Sequence, residues 1–127
     1  MTPEEKQLLL IDLCARLPYG VKVKLLCRGP EQKFDDWIEA TLNTKDIELF
    51  GKSFKNIKPY LRPISSMTEE EAEKYNDLVN DLSEFDYPPE QSASRMIDWL
   101  IANHFDFRGL IPKGLALEAP KDMYKTE

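Results

Sequence analysis

Apolar and polar positions along the chain change their period once, within the stretch Asn56 to Glu73, NIKPYLRPISSMTEEEAE. Before it, short alternations broken by turn residues carry the period of two that strands require; after it, apolar residues recur every three or four positions, as in amphipathic helices. A helix precedes the strands, from about Pro3 to Leu17. Thr2 is its N-cap, Pro3 its first helical position, and Glu5 completes a capping box. Leu9, Leu10, Leu13, Cys14 and Leu17 form one face, and Leu8, Ile11 and Ala15 a second. Gln7, Asp12 and Arg16 are left as a narrow polar edge. A helix apolar over so much of its circumference is buried on two sides or meets a partner. The second face is therefore expected under the sheet or in a homodimer through this helix.

Three strands are expected next. Gly20–Cys27 points Val21, Val23, Leu25 and Cys27 one way and Lys22 and Lys24 the other. Arg28-Gly29-Pro30-Glu31 is a turn or the start of a longer loop. Asp36–Leu42 sets Ile38, Ala40 and Leu42 against Trp37, Glu39 and Thr41. Asn43–Asp46 is a tight connection, after which Ile47 and Leu49 oppose Glu48 and Phe50 in a strand closed by Gly51. Phe54 to Ile57 is a short fourth strand. Short strands with tight turns predict an antiparallel meander curled toward a small SH3-like barrel. A flat three-stranded sheet covered by helices is the alternative.

The second half is helical. Thr68 and Glu71 form the capping box of a helix over about Thr68 to Phe85, with Ala72, Tyr75, Leu78, Val79, Leu82 and Phe85 on one stripe. Tyr87-Pro88-Pro89 separates it from a helix over about Pro89 to Asn103, on which Ala93, Met96, Ile97, Leu100 and Ile101 align. So short a connection predicts an antiparallel hairpin. From His104 the period is lost but apolar residues persist in HFDFRGLIPKGLALEAP, while Gly109, Pro112 and Gly114 forbid a long helix. That composition is unlike a disordered tail and predicts a strap across the core; only MYKTE is expected to fray. The fold class is α+β in a single domain over residues 1–127, with a helix-plus-sheet half (1–61) and a helical half (62–127).

Bulk composition adds limits rather than chemistry. With 42% hydrophobic and 31% charged residues the chain reads as an ordinary globular protein. The aliphatic run Leu8 to Ile11 stops at Asp12, far short of the roughly 20 residues that cross a bilayer. The acidic opening MTPEEK does not resemble a secretory signal, so no membrane role and a cytoplasmic address are expected. Cys14 and Cys27 are expected to be reduced, core-packed thiols. Charge is uneven. Residues 1–60 hold ten Lys/Arg against nine Asp/Glu, a net of +1, and residues 61–127 hold seven against fourteen, a net of −7. The overall −6 argues against nonspecific binding to nucleic acid.

Candidate chemistry is sparse. His104, the one histidine, is followed by Asp106, and an imidazole base oriented by a carboxylate would be the arrangement of an enzyme. No Cys nucleophile is near it and no GxSxG elbow exists. The expectation is that His104 lies at a helix end, where its cationic form would meet the dipole favourably. Metal-binding spacings, a calcium loop and a phosphate-cradling glycine loop are all missing, so no metal or cofactor is expected. The strongest anomaly is acidic. Nine acids stand between Glu69 and Glu90 against the single base Lys74. A solvated helix face explains them; so does a negative patch that docks a basic protein. Glu73, Asp77, Asp81 and Glu84 are the candidate partner-binding residues. Trp99 joins them because it falls off its helix's main stripe and must either meet the tail or stand exposed.

The opening MTPEEKQLLLIDLCARLPYGVKVK, the junction KPYLRPISSMTEEE and the terminal HFDFRGLIPKGLALEAP together resemble a recurrent group of short, uncharacterised proteins from gut bacteria and their phages. The resemblance implies a prophage or mobile-element setting, in which small accessory proteins bind host or phage components. It carries over no catalytic residue. The leading expectation is a non-enzymatic interaction protein. An SH3-like nucleic-acid-binding module using Lys22, Lys24, Arg28, Lys33, Lys52, Lys55 and Lys58 is the second, and an enzyme centred on His104 and Asp106 the third.

Overall fold

Helix α1 (Pro3–Arg16) starts where its caps require in the computed structural model, which describes residues 2–28, 35–50, 54–83 and 89–124. The Thr2 hydroxyl accepts from the Glu5 amide at 3.1 Å, and the Glu5 carboxylate accepts from the Thr2 amide at 2.9 Å. Both satisfy donors that a helix start leaves orphaned. A 3₁₀ turn over Leu17–Tyr19 follows, and Gly20 at φ 67° turns the chain into the sheet. That left-handed conformation suits glycine.

Strands β1 (Lys22–Arg28), β2 (Asp35–Thr41), β3 (Phe54–Leu61) and β4 (Leu117–Glu118) form one sheet in the order β2-β1-β3-β4. β1 lies antiparallel to both β2 and β3, with Leu25 between Ile38 and Ile57. β4 joins parallel to β3, Tyr60 beside Leu117. A parallel pair needs a long crossover, and the two C-terminal helices supply it. The class is α+β, as the periodicity predicts. The wholly antiparallel sheet is corrected: the sheet is mixed and open, and among the described residues nothing pairs with the outer edge of β2.

The strand expected over Ile47–Phe50 is instead helix α2 (Thr44–Glu48). The Asn43 side chain accepts from the Asp46 amide at 2.9 Å, and Asp46 returns the bond to the Asn43 amide at 3.1 Å. This capping box outweighs a four-residue alternation, which is too short to specify a period. The short strand expected at Phe54–Ile57 runs on to Leu61 as β3, through the proline-marked junction. Of the turn expected over residues 28–31, Arg28 ends β1 and residues 29–31 lie outside the described residues, as does the strand end expected at Gly51.

The core lies between α1 and the inner face of the sheet. Leu9 and Leu13 pack against Val21, Val23, Leu25, Ile57 and Leu61, and Leu110, Leu115 and Ala116 close the assembly from the tail. The polar edge expected on α1 is corrected. Asp12 and Arg16 are fully buried, whereas Ile11 is 51% exposed and Cys14 is exposed rather than core-packed. Leu8 packs on the core, so the second face is only partly used. The Cys27 side chain lies outside the described residues.

Helices α3 (Glu69–Ser83) and α4 (Pro89–Ala102) pack on each other. The Thr68/Glu71 capping box forms as expected, at 3.0 and 3.2 Å. Tyr75, in the first half of α3, meets Trp99, in the last turn of α4, as an antiparallel crossing requires. Leu78, Leu100 and Ile101 are buried, but Val79 and Ile97 stay exposed. The Leu82 side chain and Phe85 lie outside the described residues. Among the described residues no helix is long and apolar enough to cross a membrane.

The tail crosses the core and is held to its end. The Ala119 amide donates to the Leu61 carbonyl, and the Asp106 amide to that of Arg62. Val23 with Pro59 is the last paired rung of β1 and β3. In the next position, the Tyr124 hydroxyl accepts from the Lys22 amide and donates to the Tyr60 carbonyl, both at 2.8 Å. Tyr124 thus fills a missing rung of the sheet, and the expectation that it frays is corrected. Residues 125–127 lie outside the described residues.

Candidate functional site

Helix α4 ends in a left-handed residue. His104, at φ 64°, donates its amide to the Ile101 carbonyl at 3.0 Å, and the Phe105 amide reaches back to Leu100 at 2.9 Å. These two bonds make a Schellman cap. Glycine usually holds the left-handed position, and a side chain there costs roughly 1–2 kcal/mol. The cost is offset by what the side chain touches. The imidazole stacks on the Tyr124 ring with centroids 3.7 Å apart. Burial, with the Arg16 and Arg62 guanidiniums nearby, brings the His104 pKa down to about 4. Its expected cationic form at the helix end is therefore corrected: the imidazole is neutral at physiological pH.

Asp106 does not orient His104. Its two oxygens accept from the Leu110 amide at 2.8 Å and the Ile111 amide at 2.9 Å. The carboxylate shapes the turn that carries Leu110 into the core. Among the described residues His104 Nδ1 has no hydrogen-bond partner. Among the described residues no group of three or more His, Cys, Asp or Glu side chains could hold a metal ion.

Beside this turn lies an ionic network that joins α1 to the tail. Asp12 Oδ2 accepts from Arg16 Nε at 2.7 Å, and Asp12 Oδ1 accepts from Arg108 Nε at 3.0 Å. Arg16 Nη2 donates to the Phe105 carbonyl at 2.6 Å, while Nη1 is buried without a hydrogen-bond partner among the described residues. Arg62 forms a second lock. It pairs with both oxygens of Glu71, at 2.6 and 2.7 Å, and its guanidinium lies 4.2 Å from the Phe105 ring centroid. The Arg62 bonds hold the Glu71 carboxyl below its ordinary pKa. One of the nine acids is thus spent on joining α3 to the end of β3.

The rest of the acidic run divides. Glu69, Glu70, Glu73 and Asp77 are exposed on α3, and none makes an ion pair among the described residues. Glu73 and Asp77 stand one turn apart, with Lys74 also exposed. The Asp81 side chain and Glu84 lie outside the described residues. Trp99 is not beside these acids on an open surface. It is half-buried between Tyr75, at 6.3 Å, and Phe105, at 5.7 Å, so it meets the start of the tail.

The expected basic side of the sheet is partly engaged. Lys22 Nζ donates to Thr41 at 2.7 Å, and Lys58 lies over the Trp37 ring. Lys24 sits opposite Glu39, whose carboxylate accepts from the Tyr60 hydroxyl at 2.8 Å. Lys33 and Lys52, with the side chains of Arg28 and Lys55, lie outside the described residues.

Sequence reasoning missed Asp12, Arg16, Arg108 and Tyr124. The spacing of Asp12 and Arg16 permits an intrahelical pair, which was the one available signal. Their burial depends on tail residues some ninety positions away, which no local pattern encodes. Compared with protein-family models, curated proteins and solved structures, the chain has no match.

Proposed function

We propose that this is a non-enzymatic interaction protein of the cytoplasm, a prophage or mobile-element accessory factor that binds a basic protein partner through α3. One observation carries the reading. Four carboxylates on the exposed side of α3 have no cationic partner among the described residues, while the residues that could have done chemistry are held by the fold. Clustered negative charge draws a basic surface over about one Debye length, roughly 8 Å at physiological ionic strength. Such steering acts chiefly on the association rate and weakens with salt. The setting follows from the resemblance of both chain ends and of the central junction to proteins of gut bacteria and their phages.

The test is an affinity recovery from host lysate, with the protein and nucleic-acid fractions both analysed. The wild type is compared with the Glu73→Gln/Asp77→Asn variant across a salt series. The variant should melt as the wild type does, since both side chains are solvent-facing. Its binding to the recovered protein should weaken at low salt and converge with the wild type at high salt. Equal binding throughout would show the acids to be a solvated face only. Recovery of nucleic acid alone would favour the second expectation.

A further inference from the structure

We infer that the outer edge of β2, with which no described residue pairs, joins the same edge of a second copy, centred on Ile38, to form one continuous sheet across a homodimer. β2 is a seven-residue strand at the edge of the sheet. Its backbone donors and acceptors on that side call for another strand, and unguarded edges recruit one. The Leu42 amide donates to Val21, so alternation turns the backbone groups of residues 36, 38 and 40 toward β1. Those of Asp35, Trp37, Glu39 and Thr41 face outward.

Both faces of the sheet are unfinished at this edge. Ile38, on the core side, is 52% exposed although its neighbour Leu25 is buried; Trp37, on the opposite side, is 39% exposed. An added strand would cover both at once. A helix packed on either face would cover only one.

The sequence DDWIEAT selects its own copy in a single register. Pairing the strand antiparallel to itself about Ile38 matches all seven residues. Asp35 then stands opposite Thr41, Asp36 opposite Ala40, Trp37 opposite Glu39, and Ile38 opposite Ile38. No like charges meet. The neighbouring symmetric registers place Asp35 opposite Glu39, or Glu39 opposite itself, and like charges directly opposed are destabilising. The outward backbone groups of Trp37 and Glu39 bond to each other in the favoured register. Ile38 then occupies a non-hydrogen-bonded pair, where side chains across an antiparallel ladder come closest. This interface is separate from the acidic face of α3 and from the exposed Ile11 of α1.

Sedimentation of the full chain tests it. The wild type should run at twice its 14.8 kDa mass. Ile38→Glu and Ile38→Lys, each at a position already half-exposed, should each stay folded and run as monomers at the concentration where the wild type is dimeric. Mixed in equal amounts, the two should form a heterodimer, because only this register sets residue 38 against itself. Ile11→Glu should remain dimeric. A monomeric wild type, a dimer that survives either Ile38 substitution, or a mixture that stays monomeric would overturn the proposal.

Discussion

Replacing Asp12 with alanine is expected to cost the fold about 3–5 kcal/mol, the usual result of removing one partner from a buried ion pair. Asp12 and Arg16 are both fully buried, and the carboxylate also accepts from Arg108. Without Asp12, Arg16 would keep, among the described residues, the Phe105 carbonyl as its hydrogen-bond acceptor and the Phe107 ring beside it. Arg108, about a quarter exposed, could turn to water. The double variant Asp12→Leu/Arg16→Met removes the charge together with its counterion. Apolar replacements of a whole buried pair are often neutral. Here the Phe105 carbonyl loses its donor, at about 1–3 kcal/mol. The double variant should therefore be more stable than Asp12→Ala alone in denaturant titrations. A loss equal to the sum of the two single losses would show that the network is not coupled as described.

Deleting residues 105–127 should abolish the folded state. Phe105, Leu110 and Leu115 are almost wholly buried, and each contributes roughly 1.5–3 kcal/mol by leaving water. Their sum is comparable with the whole stability of a typical domain, about 5–15 kcal/mol. The deletion also removes β4, the Arg108 bond to Asp12 and the Tyr124 hydroxyl that fills a rung between Lys22 and Tyr60. Circular dichroism of the truncated chain should show no cooperative melt. A truncated protein melting at the full-length temperature would refute the strap.

The elements that were legible in the sequence are those specified locally. Thr2 with Glu5 and Thr68 with Glu71 mark helix starts through contacts spanning three residues, and the alternation of Val21, Val23 and Leu25 marks an inward face. Asn43 with Asp46 carried the same kind of signal for α2, but the alternation after it suggested a strand. What could not be read depended on distant partners. Asp12 and Arg16 look like a solvated edge until Phe105 and Arg108 are brought against them. His104 looks like a helix-end cation until Tyr124 covers its ring. β4 is only two residues long and has no pattern of its own; β3 supplies its ladder.

The same dependence separates architecture from function. The polar residues most suggestive of catalysis are the ones the fold uses to fasten its tail, whereas Glu69, Glu70, Glu73 and Asp77 of α3 have no ion-pair partner among the described residues. A neutral buried imidazole also gives a pH signature. The folded pKa of His104 lies below the unfolded value of 6.5, so the unfolded chain binds this proton first as pH falls. The stability linked to His104 is complete above about pH 6.5 and is lost as pH falls toward 4.

Proton NMR titration of the imidazole is the most direct measurement of whether this region is architecture or a catalytic centre, and the lone histidine makes the resonance unambiguous. The structure predicts an imidazole that stays neutral down to a pKa of about 4, with the native fold weakening over the same range. An imidazole titrating near or above neutrality in the intact fold, as a general base poised for catalysis would, contradicts the account.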